Sequence, residues 1–214
     1  MSKKEAEKTL REQDEMKSSL VLLSNTYYAL RHGISLANEQ QIIVGSPKNG
    51  LTSYGLSDRG QSELESNFKS LKGYNFTNLI IVSSDFLRAK ETSELFQTYF
   101  PGELIFDKRL RERDFGKLEL QENSLYSKVW EHDKVSEMHC YAECEPLFNL
   151  RERLLDLIDD LESRFQKKQA ILVSHGDCLQ TLQTVFDGVS PRKHRELPHI
   201  ETGELRQLNH KSKP

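Results

Sequence analysis

Two histidine–glycine steps each close an apolar run of strand type: Leu30-Arg31-His32-Gly33 and Val173-Ser174-His175-Gly176. Arg88 stands shortly after a third such run, Leu79-Ile80-Ile81-Val82, and Glu112 follows a fourth, Leu104-Ile105-Phe106. Glycine at these points lets the chain turn sharply and brings backbone N–H groups close to a bound group. A helix starting at the turn adds its positive end, which suits an anion. Arg31 and Arg88 offer forked donors that match phosphoryl oxygens. With His175 they can neutralise the charge on a phosphoryl group in transfer. A neutral imidazole can accept that group and divide one hard step into two. A carboxyl of raised pKa can protonate the leaving oxygen. Glu112 is the candidate acid, provided that the guanidinium groups of Arg111 and Arg113 point away and do not hold its pKa down. The chemistry these residue types describe is phosphoryl transfer. The sequence has no carboxylate cluster of metal-binding type, so no metal and no cofactor is expected.

Such residues converge only if the strands that carry them share one sheet edge. The β-prone run 25–30 ends at Arg31-His32-Gly33. Residues 39–55, with Gly45, Pro47, Gly50 and Gly55, read as a long loop. Ser57 is a plausible N-cap for a helix through Leu64, Phe68 and Leu71. Strand 79–82 leads into a helix along Leu87, Glu91, Leu95 and Tyr99, stopped by Pro101-Gly102, and 104–106 is a third short strand. Leu150, Leu154, Leu157, Ile158, Leu161 and Phe165 mark the clearest amphipathic helix. Strand 170–173, a helix through Leu179, Leu182 and Phe186, and a last strand over 204–208 complete the body. This alternation predicts an α/β three-layer sandwich, a mostly parallel central sheet flanked by helices on both faces. Ligands bind such sheets at the carboxyl ends of the strands, where the polar residues collect.

The chain has 214 residues, enough for one sizeable core. Residues 1–19 are charge-rich and are expected to form a frayed or disordered extension ahead of a single domain over 20–214. With 33 acidic against 30 basic residues the formal net charge is −3, which gives no electrostatic case for nucleic acid or a membrane surface. No apolar run approaches the roughly 20 residues of a membrane-spanning helix. The run 20–23 is too short for a signal-peptide core, so the cytoplasm is the expected location. Cys140, Cys144 and Cys178 imply no disulfide framework. The grouping of His132, His139, Cys140 and Cys144 lacks a CxxC pair and reads as an irregular connection, not a metal site. The expected partner is a small phosphorylated substrate, and no motif fixes an oligomeric state.

Taken together, these residues resemble the histidine phosphatase superfamily, also called phosphoglycerate mutase-like. The resemblance runs in order through Leu30-Arg31-His32-Gly33 with Asn38, Leu56-Ser57-Asp58-Arg59-Gly60-Gln61, and Ser84 with Arg88, Ala89 and Thr92. It continues through Leu110, Glu112, Gly116 and Glu119 to Val173-Ser174-His175-Gly176. It implies His32 as the phosphorylated nucleophile and Glu112 as general acid, then base. Arg31, Asn38, Arg88 and His175 would form the phosphate pocket, with no metal. Three positions depart from the pattern: Ile34 where Glu or Gln is usual, Leu120 where many members have Gly, and Ala142 to Pro146 in place of a Gly-Glu-Ser segment. Only 62 residues (113–174) separate Glu112 from His175. That short span favours hydrolysis over mutase chemistry, for which the family uses a longer insertion. The alternatives are a bisphosphoglycerate-dependent mutase and a non-catalytic phosphate-binding regulator. The span has room for one or two short helices before the long one. Its Lys128, Trp130, His132, Lys134 and His139 could contact a substrate, although most of them read as a solvated, irregular cap.

Overall fold

Strand β1 (Thr26–Arg31) lies beside β4 (Gln169–Ser174), although about 140 residues of chain separate them. The computed structural model describes residues 23–209, so the charged extension expected over 1–19 lies outside the described residues. The sheet also contains β2 (Leu79–Ser83), β3 (Glu103–Phe106) and β5 (Leu205–Gln207), in the order β3-β2-β4-β1-β5. All pairings are parallel except β1 with β5.

Side chains alternate across a strand, and here the alternation divides them between two cores. Tyr27, Ala29, Ile80, Val82, Ala170 and Leu172 pack on one face with helices α4 (Leu147–Arg164) and α5 (Gly176–Asp187). Tyr28, Leu30, Ile81, Ile171 and Val173 pack on the other with α1 (Asp58–Ser70) and α2 (Leu87–Tyr99). Both faces are therefore covered, which explains why β2 and β4 read as continuous apolar runs. Helix α4 buries Leu147, Leu150, Leu154, Leu157, Ile158 and Leu161, each contributing about 2 kcal/mol by leaving water. Phe165, placed at its end by periodicity, is extended and outside the helix.

Two segments are more sharply defined than the sequence reading left them. The loop over 39–55 contains a helical turn, Pro47–Gly50, started by the Ser46 cap and by proline at a position where no N–H is needed. The span between Glu112 and His175 contains a regular helix, α3 (Tyr126–Val135). It is seated by a third apolar cluster of Ile43, Phe115, Leu118, Val129 and Cys144. The first forms from its own cap and proline, while the second, for which the sequence left room as a short helix, takes its seat from contacts distant in sequence.

Candidate active site

Register brings the two histidine steps together. Arg31 is paired with Ser174 across β1 and β4, so the next residues, His32 and His175, leave the sheet side by side. Their ring centroids are 5.1 Å apart. Two close approaches fix the turn after β1. A Cβ on Gly33 would sit 2.5 Å from Leu64 Cδ1, and one on Gly60 would sit 1.9 Å from the Ile34 carbonyl oxygen. Ser57 caps α1 by accepting from the Gly60 N–H, while its own N–H donates to Ile34 O at 2.9 Å. The Gly33 N–H donates to Thr92 Oγ1 at 3.1 Å, tying the turn to α2. The polar phrase around Ser57 is thus a brace for the histidine loop. Ile34 contributes backbone to that brace and is absent from the cavity wall.

His32 is 3% exposed. Its Nδ1 lies 2.7 Å from the Gly33 carbonyl, which can only accept, so Nδ1 carries the proton. Nε2 is left as a lone pair and accepts from Arg88 Nε at 3.1 Å. Burial, and then Arg88 and Arg31, hold this imidazole well below the ordinary histidine range and keep it neutral. His175 is fully buried, with Nε2 2.9 Å from Ser84 Oγ. Burial first and Arg88 second also push its pKa well down.

Arg88, at the start of α2, donates from Nη2 to the Val44 carbonyl at 2.9 Å. Arg31 donates from Nη1 to the Ile200 carbonyl at 2.9 Å and approaches His199 Nε2 at 2.8 Å. Three side-chain nitrogens in this group are buried with no hydrogen-bond partner among the described residues: Arg31 Nε, Arg88 Nη1 and His175 Nδ1. Buried polar groups are normally satisfied, and the two guanidinium nitrogens can only donate, so they are suited to an anion. His175 Nδ1 is a donor or a lone pair according to its tautomer. Asn38 lies in the same cavity wall, its Oδ1 accepting from the Ser35 N–H and hydroxyl at 3.0 and 2.9 Å.

Glu112 is 9% exposed, and its Oε1 accepts from the Arg113 N–H at 2.9 Å and the Cys178 N–H at 3.2 Å. The second donor belongs to the first turn of α5, whose positive end faces the carboxyl. Burial, with the neighbouring Asp177 carboxylate next, nevertheless raises its pKa above the ordinary glutamate value. The two flanking guanidinium groups do point away. Arg111 forms a bidentate pair with Asp85 at 2.7 and 2.6 Å, and Arg113 one with Asp133 at 2.8 and 2.9 Å. The geometric condition that the sequence left open for Glu112 is met. Arg31, His32, Asn38, Arg88 and Glu112 line a cavity of about 220 Å³ whose wall also includes Tyr126, Trp130, Asp177, Arg195 and His199. The His175 ring lies behind His32 and is absent from that wall.

The Arg113–Asp133 pair was not legible in the sequence. Both side chains are wholly buried, and Asp133 also holds His139 Nε2 at 2.6 Å. Asp133, Asp177 and His194 lie close enough to hold a cation, and Arg113 is already there, 2.8 Å from Asp133 and 3.5 Å from Asp177. His139 also accepts from the Tyr141 N–H at 3.1 Å, and His132 stacks on Tyr141, so neither ring is spare. Asp133→Ala is expected to cost about 3–5 kcal/mol, because it leaves a buried guanidinium unpaired. Denaturant unfolding checks this, and a loss below about 1 kcal/mol would show that water satisfies Arg113.

Glu119 anchors the opposite wall, accepting from the Gly45 and Ser46 N–H groups and from Asn49 Nδ2. Next to it Leu120 has φ 62°, in the left-handed region that favours glycine, and is 45% exposed. Relief of roughly 1–2 kcal/mol of strain is set against roughly 0.4–1 kcal/mol of added chain entropy in the unfolded state. Leu120→Gly should therefore stabilise the fold by about 0.5 kcal/mol, raising Tm by about 1–2 °C in a thermal melt.

Sequence reasoning missed Ser84 as the partner of His175, the Val44 carbonyl, and the Tyr126, Arg195 and His199 wall. Of the five residues in the span that could contact a substrate, Trp130 lines the cavity and Lys128, His132, Lys134 and His139 do not.

Comparisons with known proteins agree with this architecture. A curated relative from Erwinia tasmaniensis, named "Probable phosphoglycerate mutase GpmB", is 23% identical over 87% of this chain and 86% of its own. "Uncharacterized phosphatase PhoE" of Bacillus subtilis is 26% identical over 76% of this chain and 77% of its own. Among solved structures, a mycobacterial glucosyl-3-phosphoglycerate phosphatase superposes with a TM-score of 0.73 at 19% identity. That superposition covers 86% of this chain and 90% of the other and establishes likeness of fold. The model of the histidine phosphatase superfamily (branch 1) matches residues 27–213, which spans both histidine steps and everything between them. On that match the chain belongs to the histidine phosphatase superfamily.

Proposed function

We propose that this protein is a metal-independent phosphatase that hydrolyses small phosphomonoesters through a phosphohistidine at His32. The observation that carries the reading is the pair of unpartnered buried guanidinium donors, Arg31 Nε and Arg88 Nη1, beside a neutral imidazole whose Nε2 is a lone pair. Phosphoryl oxygens satisfy donors of this kind. His32 Nε2 attacks phosphorus, and the bond to the leaving oxygen breaks while Glu112 supplies that oxygen with a proton. The Nδ1–H bond to Gly33 O stabilises the positive imidazole ring of the adduct. Water then attacks phosphorus and gives its proton to the Glu112 carboxylate. The N–P bond breaks with its electron pair returning to Nε2, so the enzyme is restored and inorganic phosphate leaves. The names of two of the relatives contain "phosphatase", and the short span between Glu112 and His175 supports the same choice. Among the described residues no helix is long and apolar enough to cross a membrane, which fits a substrate taken from water.

Incubation with a phosphoryl-labelled monoester, quenched in denaturant at alkaline pH, tests the mechanism. Wild-type protein is expected to retain an acid-labile, base-stable label. Absence of label from a folded protein that still turns over the ester would sink the covalent route. The mutase reading, favoured by the name of the Erwinia relative, predicts isomerisation of phosphoglycerate faster than its hydrolysis in the same samples.

A further inference from the structure

The cavity wall contains a second cationic element that the phosphoryl chemistry above does not use. Arg195 stands between α5 and β5, and its Cζ lies 3.9 Å from the centroid of the Trp130 ring. Its Nη1 is 3.6 Å from Asp177 Oδ1, too far for a hydrogen bond, and the side chain is 22% exposed. Among the described residues its guanidinium donates no hydrogen bond, although it has five N–H groups to offer. The ring beneath it is fixed. Trp130 Nε1 donates to both Asp177 oxygens at 3.1 and 3.2 Å, and Tyr126 stacks on the indole with centroids 5.6 Å apart and planes 6° apart. Asp177 is shared among Trp130, Arg113 and Arg195, so it does not saturate Arg195. A guanidinium stacked on an aromatic ring keeps its plane and has already lost much of its rotamer freedom. Its unused N–H edge is a ready fork for a planar or tetrahedral anion.

Resting on the phosphatase reading above, we propose that Arg195, held over the Trp130 ring beside Asp177, is a specificity-determining residue that grips a second anionic group on the substrate. The preferred substrates are small phosphomonoesters that also bear a carboxylate or a second phosphoryl group. Arg31 and Arg88 take the group that is transferred, and Arg195 takes the one that stays.

Matched compounds test this with the full-length protein. The ratio of kcat/KM for 3-phosphooxypropanoate to that for 3-hydroxypropyl phosphate isolates the carboxylate, and propane-1,3-diyl bisphosphate replaces it with a second phosphoryl group. Wild-type protein is expected to prefer at least one anion-bearing member over the neutral one. In Arg195→Gln that preference should fall by about tenfold to a hundredfold, whatever happens to the neutral ester, with Arg195→Lys in between. Equal use of all three compounds by wild-type protein, or a preference that survives Arg195→Gln within twofold, overturns the proposal while leaving the phosphatase reading standing. Calorimetric binding of the same compounds, with and without Arg195→Gln, separates the two claims. If none of them is hydrolysed, yet the anion-bearing member binds more tightly and loses that advantage in the variant, the phosphatase reading fails and the Arg195 subsite stands. If the variant does not fold, the wild-type comparison and Arg195→Lys still decide the matter.

Discussion

Replacing His32 with alanine is expected to lower kcat for any phosphomonoester by at least about 10⁴-fold, because it removes the nucleophile and not merely a contact. The structure makes His32 hard to replace by its neighbour. His175 is as close to the sheet edge and as neutral, but its Nε2 is engaged with Ser84 and it lacks the carbonyl that fixes the His32 tautomer. Arg88 also loses its Nε acceptor in the variant, while keeping Val44 O. Binding of inorganic phosphate should therefore weaken far less than turnover, since the donors on Arg31 and Arg88 remain. Steady-state kinetics with p-nitrophenyl phosphate, together with the alkaline-quench label, check this. Residual activity above about 1% of wild type would remove His32 from the role of nucleophile, and wild-type protein without turnover would favour the phosphate-binding regulator.

Glu112→Gln is expected to reduce kcat for alkyl phosphates by about 10²–10⁴-fold, the range for loss of a positioned general acid. The loss should be much smaller for p-nitrophenyl phosphate, whose leaving phenolate needs little help. The pH profile gives a second readout. Glu112 must be protonated for the first step, and its pKa lies above the ordinary glutamate value, chiefly through burial. In wild-type protein kcat/KM should therefore fall as pH rises through that pKa. Glutamine cannot ionise, so the alkaline limb should flatten in the variant. The acid limb, set by protonation of His32, should lie well below the ordinary histidine range in both. If the variant keeps alkyl phosphate turnover within tenfold, the acid is another group, and Asp177 is the next carboxyl on the cavity wall.

Much of this arrangement was legible in the chain because its signals are local. Ser57 as a cap, the stop at Pro101-Gly102, and the apolar runs of β2 and β4 each depend on residues within a turn or two. What was left open depends on partners far away. The sequence left room for a short helix where α3 stands without setting its bounds, because what seats it, Ile43 and Phe115 among others, lies outside its own sequence. Whether Arg113 turns away from Glu112 was left open, and the buried Asp133, 20 residues on, is what draws it off. Leu120 was visible as a departure from the family pattern, but the backbone angle that gives the departure a cost was not.

By itself the sequence determined the alternation of strands and helices, the chemical types at the strand ends and so the class of chemistry. Hydrophobic periodicity, turn residues and side-chain chemistry are properties of short stretches. Only the tertiary structure decided that β1 and β4 are neighbours in a register that sets His32 beside His175. Only it fixed the His32 tautomer, freed Glu112 from its flanking arginines, and laid Arg195 on Trp130. Strand order, burial and the pairing of charges come from the packing of the whole chain, and no short stretch contains them.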